Sequence, residues 1–438
     1  MRVNSWVVIV LIGVLCSSFV FATDVDSAVI DSFEDNNEVP VIIILEDTAE
    51  TLSEDLEEVQ NAVETKQENV LKELDLDEKK GFLGMFNNEP GFELEHRYTT
   101  INALSGVITV EGLEKLYDNP NVESIEYNYP IKPLLDGSAP LINANDVWNL
   151  SFNGTLIDGT GQTVCVIDTG VDYTHPALGG CTLEDFVAGT CTKVIAGYDF
   201  GDDDNDPVDV HSHGTHVAGT VASKDGTYRG VAPGASIAAV KVFSDAGSGS
   251  TADAISAIDW CVTNADEYNI SVITMSIGVV DNDGNEVPHL DYCDNDDILA
   301  AKASWAVSQG LFVDVSSGNT LGSSGITSPA CGINVTSVGS VSESDEISGF
   351  NTAPILRVIA PGSSITSTVL GGNFGTKGGT SMSAPHVAGA AALIQQFNMV
   401  VHNTLLSPLE IMDILNLTGK RIYDSRNSLY FSRIDPFA

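Results

Sequence analysis

Three side chains stand out because their types could share one reaction: a carboxylate at Asp168, an imidazole at His213 and a hydroxyl at Ser381. Asp168 ends the apolar run of VIDTGVD. A carboxylate there is costly unless hydrogen bonds hold it, so it is either a turn cap before Gly170 or a functional group. His213 lies in HSHGTHVAG between His211 and His216. The spacing is not His-Glu-x-x-His and no Cys or Glu completes a zinc set nearby, so a single base flanked by packing residues is expected. Ser381 opens GTSMSAPHVAGAAAL, which from Val387 reads as a helix packed on most sides. A serine at a helix N-terminus caps orphan N–H groups, which would put Pro385 in the first turn. The same place favours a developing anion. Ser383 replaces the second glycine of a Gly-x-Ser-x-Gly elbow, which argues against an α/β-hydrolase.

The elements that must carry these groups are legible as short β-branched runs. TVCVIDTG, KVIAGYDF, SIAAVKVF, ISVITMSIG, LFVDVSSGN, VTSVGSV and LRVIAPG each end at or beside Gly, Asp, Ser or Asn. Helical stretches such as TADAISAIDWCVTNA and DILAAKASWAVSQG separate several of them. Repeated β-α units predict an α/β fold in three layers, a mainly parallel sheet with helices on both faces. Ligands in such sheets bind beyond the carboxyl ends of the strands, where Asp168 sits. Before this part, residues 39–135 follow the order β-α-β-β-α-β, a small α+β ferredoxin-like domain. Residues 23–38 read as an acidic tail. Residues 1–22 have the charge, apolar core and small-residue order of a cleaved signal peptide. The expected domains are therefore 1–22, 23–38, 39–135 and 136–438.

Composition narrows the function. The 438 residues carry 61 acidic against 19 basic side chains, a formal charge of −42, and phosphate binding needs basic patches. Nucleic acid is thus excluded as a partner. The apolar N-terminal run is short for a membrane span, and no other segment is long and apolar enough, so stable membrane insertion is not expected. Past residue 22 six cysteines remain, an even number that permits disulfides outside the cell. Cys181 with Cys191 is the foremost pair and Cys293 with Cys331 the next. Cys165 and Cys261 sit in apolar runs as candidate buried thiols.

The order Asp168, His213, Ser381 is that of the subtilisins. VIDTGVDYTHPAL, HSHGTHVAG and GGTSMSAPHVAGAAAL resemble the Asp, His and Ser signatures of the subtilisin-like serine proteases, or subtilases. The resemblance runs from about residue 139 to 427. It implies a secreted serine endopeptidase acting through an acyl-enzyme, with Ser381 as nucleophile, His213 as base, Asp168 as its orienting acid and Asn319, in SSGN, as oxyanion donor. It also implies a substrate cleft walled by Ser276, Ile277, Gly278, Ser317 and Gly318, with Thr327 near the floor. Thr320 stands where some relatives carry an acid, so a broad or apolar P1 preference is expected. Residues 39–135 resemble the family's inhibitory propeptide, cleaved after Leu134 or Leu135. The partners implied are polypeptide substrates and that propeptide, for a monomer found outside the cell. Calcium favours clustered carboxylates, and Asp202, Asp204, Asp206 and Asp209 in GDDDNDPVDVHSHG are the expected structural site, none being needed for catalysis. Ala177 departs from the family, where relatives often carry a calcium-liganding Asp. The rival readings are a pseudoprotease that only binds, which a fluorophosphonate probe separates, and a peptide ligase using the same acyl-enzyme.

Overall fold

A computed structural model describes residues 23–33, 36–47, 56–74, 91–99, 101–117, 119–133, 141–322 and 324–438. The signal segment and the expected cleavage bonds after Leu134 and Leu135 lie outside the described residues. The chain divides into two compact units, Met1–Tyr129 and Pro130–Ala438.

The first unit is built on a five-stranded sheet, in the order Asp24–Val25, Val122–Tyr127, Glu38–Leu45, Ala103–Thr109, Phe92–Arg97. The last four strands are the expected β-α-β-β-α-β set, with helices Leu56–Glu73 and Val110–Leu116. The expected acidic tail is part of this unit. Asp24–Val25 adds a parallel edge strand, and the helix Ser27–Ser32, capped by the Asp26 carboxylate, buries Val29. Val29 and Phe33, one helical turn apart, join the core around Val41, Ile43, Leu71 and Leu104.

The second unit contains a nine-stranded sheet. Its order is Val194–Asp199, Ser236–Lys241, Thr163–Asp168, Ile270–Met275, Phe312–Ser316, Thr336–Val341, Val358–Pro361, Leu429–Arg433, Lys420–Asp424. Neighbours pair in parallel except at the last edge, where Lys420–Asp424 runs antiparallel to Leu429–Arg433. Strand residues alternate between faces. Val164 and Val166 pack with Val217 and Val221 of the helix His213–Ala222 and with Val387 and Leu393 of the helix Thr380–His402. Cys165, between them, points the other way and is joined to Cys261 of the helix Thr251–Thr263. Helices therefore cover both faces, giving the three-layer α/β arrangement expected from the sequence.

Cys181–Cys191 and Cys293–Cys331 are also bridged. Cys165 and Cys261 are not thiols: a strand and a helix packed face to face bring their Cα atoms to 6.2 Å, within bonding range. A separate three-stranded sheet places Pro130–Pro133 antiparallel between Gly249–Ser250 and Ile277–Val279.

Candidate active site

Asp168 ends its strand inside the protein, fully buried. Its Oδ1 accepts the N–H of Thr169 at 2.7 Å and bonds His213 Nδ1 at 2.6 Å. Each residue is fixed by its neighbour in sequence. Thr169 Oγ1 accepts the N–H of Gly214 and donates to Asp209 Oδ1. Gly214 must be glycine: a Cβ there would lie 2.1 Å from the Gly170 carbonyl oxygen and 3.0 Å from Asp168 Cβ. The helix His213–Ala222 has no side-chain cap from Ser212. Asp209 does that work, accepting the N–H groups of His211, Ser212 and Thr215 and the hydroxyl of Thr215.

Ser381 is the second residue of the helix Thr380–His402, and Gly379, not Ser381, is the N-cap. Pro385 therefore lies past the first turn and removes the N–H that would bond the Ser381 carbonyl. Ser276 Oγ donates to that carbonyl instead, at 2.7 Å. The Ser381 hydroxyl points back to the Ser276 carbonyl oxygen at 3.5 Å.

Asn319 is tied to the same helix end. Its Oδ1 accepts the N–H of Thr380 at 2.9 Å and the Thr380 hydroxyl at 3.2 Å. An N–H can only donate, so this bond fixes which end of the amide is oxygen. The buried Nδ2 has no hydrogen-bond partner among the described residues. A buried donor left open beside a hydroxyl on a helix N-terminus is a ready place for a developing oxyanion.

Residues 159–427 match the Subtilase family. The chain belongs to it. It is 35% identical over 350 residues to a thermophilic serine proteinase of Bacillus sp. (strain AK1), covering 75% of each chain. To subtilisin E of Bacillus subtilis (strain 168) it is 34% identical, covering 70% of this chain and 74% of the relative. An alkaline serine exoprotease A of Vibrio alginolyticus is 33% identical; the match covers 75% of this chain and 58% of that protein. The crystal structure of a cold-adapted subtilisin-like serine proteinase superimposes with a TM-score of 0.53 at 32% identity, over 68% of this chain and 98% of that one.

The residues that the subtilase resemblance assigned to a cleft lie together. Ile277 and Gly278 are on the strand that pairs with Pro130–Pro133. Thr327 donates its N–H to the Ser317 carbonyl and its hydroxyl to the Val279 carbonyl. Its side chain is buried, and the hydroxyl proton is already committed. Ser317 Oγ donates to the Asn351 carbonyl. Gly318 adopts φ +110°, and a Cβ there would meet Asn351 Nδ2 and Glu286 Oε2 at 2.7 Å each.

The expected calcium set is not assembled. Asp202 binds the Lys241 ammonium at 2.8 Å, together with Asp199 and Asp245. Asp204 Oδ1 accepts the Asp206 N–H, Asp206 Oδ1 accepts the Tyr173 hydroxyl, and Asp209 caps the histidine helix. Among the described residues the one group of three potential ligands within a metal's reach is His289, Cys293 and Cys331, whose cysteines form a disulfide. Asp202, Asp204, Asp206 and Asp209 do not converge on one calcium ion: Lys241 holds Asp202, and the other three carboxylates each bond a different group. Burial alone would push Lys241 down, but its three carboxylates outweigh that and hold its pKa well above the usual value.

Sequence reasoning missed Thr380, Asp209 in its capping role, and Glu286. Thr380 was readable beside Ser381. Glu286 lies in DNDGNE, which carries only a turn signal.

Proposed function

We propose that the chain is a secreted serine endopeptidase made as a zymogen, and the bond from Asp168 to His213 beside the helix end bearing Ser381 carries the reading. His213 takes the Ser381 proton as Oγ attacks the scissile carbonyl. Asp168 keeps the imidazole in the tautomer with Nδ1–H and balances its charge once protonated. Asn319 Nδ2 and the Ser381 N–H receive the tetrahedral oxyanion. His213 then gives the proton to the departing amine, leaving an acyl-serine and a free amino end. Water repeats the steps in reverse and frees the carboxylate.

Substrate enters as an added strand between Gly249–Ser250 and Ile277–Val279, with broad or apolar P1 residues. The antiparallel pairing of Pro130–Pro133 with both edges supports this, since that segment is an extended peptide in that place. It also supports cleavage after Leu134 or Leu135, which follow it directly, and inhibition by residues 39–135. Three disulfides agree with a life outside the cell, and among the described residues no helix is long and apolar enough to cross a membrane.

The test compares the precursor with Ser381→Ala, by intact mass and casein digestion with and without phenylmethylsulfonyl fluoride. The wild type is expected to shorten by the propeptide mass and to digest casein, the inhibitor stopping digestion. The variant stays full length and inert. A folded wild type that neither shortens nor labels with a fluorophosphonate overturns the reading.

A further inference from the structure

Between the strand Ile277–Val279 and the strand Pro288–His289 the chain makes a short hairpin. The Asp281 carboxylate accepts the N–H groups of Asp283 and Asn285, Gly284 donates to the Asp281 carbonyl, and Val280 bridges Glu286. Pro288–His289 then pairs antiparallel with Ile326–Thr327. The hairpin is anchored at both ends on strands that flank Ser317 to Asn319.

This anchoring brings the Glu286 carboxylate to the back of the turn that presents Asn319. Oε1 accepts the Asn319 N–H at 2.8 Å. Oε2 accepts the N–H groups of Asn319 and Thr320 at 3.1 Å each, and the Thr320 hydroxyl at 2.9 Å. No backbone carbonyl among the described residues receives these two N–H groups. The turn itself is demanding, because Gly318 is in the left-handed region. Asn319 is thus gripped twice: its backbone by Glu286, its amide oxygen by Thr380. What remains open is Nδ2.

We propose that Glu286 is a positioning residue of the oxyanion hole, acting on the reaction through Asn319. Its carboxylate holds the turn from Gly318 to Thr320 so that Nδ2 meets the oxyanion without reorganisation. Fixed donors are effective because no reorganisation accompanies charge development, and a misplacement of about 1 Å can cost ~10²-fold in rate. Glu286 therefore does at Asn319 what a backbone ladder does elsewhere. This inference rests on the serine-protease reading.

The experiment uses mature enzyme whose active sites are counted with a fluorophosphonate, so every rate is per competent molecule. Hydrolysis of a chromogenic peptide amide is compared for wild type, Glu286→Ala, Glu286→Gln, Asn319→Ala and each Glu286 variant combined with Asn319→Ala. Glu286→Ala is expected to lower kcat by about tenfold or more with KM little changed. Glu286→Gln, whose amide oxygen still accepts an N–H, recovers part of the loss. Asn319→Ala lowers kcat by about 10²–10³. In that background either Glu286 change then costs less than about twofold, because the group it positions is gone. Equal losses in both backgrounds, or a change confined to KM, overturn the proposal. Should Glu286→Ala fail to fold, the Glu286→Gln pair carries the same comparison. A wild type that takes up no fluorophosphonate overturns the protease reading, and this proposal with it.

Discussion

Pro385 takes away a helical hydrogen bond and Ser276, more than a hundred residues earlier in the chain, gives one back. The exchange fixes the carbonyl of the nucleophile residue without closing the helix end around it. Ser276→Ala leaves that buried carbonyl without its donor and is expected to cost about 1–3 kcal/mol. Adding Pro385→Ala restores an N–H four residues on, so the double variant recovers part of the loss. Urea unfolding of the Ser381→Ala chain, followed by the fluorescence of Trp148, Trp260 and Trp305, reads this unit without autolysis; a double variant no better than Ser276→Ala sinks the account. Asp168→Asn, whose amide can donate to Nδ1 and so hold the imidazole in the wrong tautomer, is expected to lower kcat by about 10⁴, and to slow fluorophosphonate labelling with it, in enzyme whose urea midpoint shows it folded. Asp168, His213 and Ser381 stand out in the sequence because each lies in a short local motif at the end of a strand or the start of a helix, whereas Asn319 enters only through the subtilase resemblance. Glu286 does not stand out, and neither do the bonds that Ser276 and Thr327 make, because their partners are supplied only by folding.

At the scale of elements, the parallel strands were legible because buried strands are β-branched runs ended by turn residues. The antiparallel pair formed by Leu429–Arg433 and the edge strand Lys420–Asp424 escaped that reading. The edge strand has one paired side and opens on the exposed charges Lys420 and Arg421, which dilute its apolar run. The segment 23–38 reads as a tail for a related reason: its many acids mask Val25, Val29 and Phe33, which pack it onto the core. The disulfides also act between elements. Cys165–Cys261 spans 96 residues and ties a sheet strand to a helix on one face, whereas Cys181–Cys191 closes a loop of 10. Chain entropy gives about 4.7 kcal/mol for the longer loop and about 2.7 kcal/mol for the shorter. Paired alanine substitutions are therefore expected to lower the urea midpoint more at 165 and 261 than at 181 and 191. The reverse order would mean that the shorter loop is stabilised by something other than closure.

Across the whole molecule the balance of charge is strongly acidic, yet its response to acid is set partly by buried bases. His216 and His386 are both fully buried, and burial pushes their pKa values down to about 3 and about 4. Each stays neutral in the folded chain while its unfolded counterpart takes up a proton below about 6.5. The unfolded state then binds more protons, so stability falls as pH falls through this window, by about 1.4 kcal/mol per pH unit for each group. Asp314 works in the opposite sense: burial raises its carboxyl well above the usual value, so the folded state holds a proton that the unfolded state releases. The net slope is therefore a poor test, and a difference of slopes is a good one. His386→Gln removes one of the two bases and leaves Asp314 in place. Its stability is expected to gain on the parent by about 3 kcal/mol between pH 6.5 and pH 4, whatever the constant cost of the substitution. Urea midpoints of both proteins in the Ser381→Ala background, taken at half-unit steps, decide it. Parallel curves would mean that His386 takes up its proton as readily in the folded chain as in the unfolded one, with Nδ1–H still donating to the Met382 carbonyl at 2.6 Å.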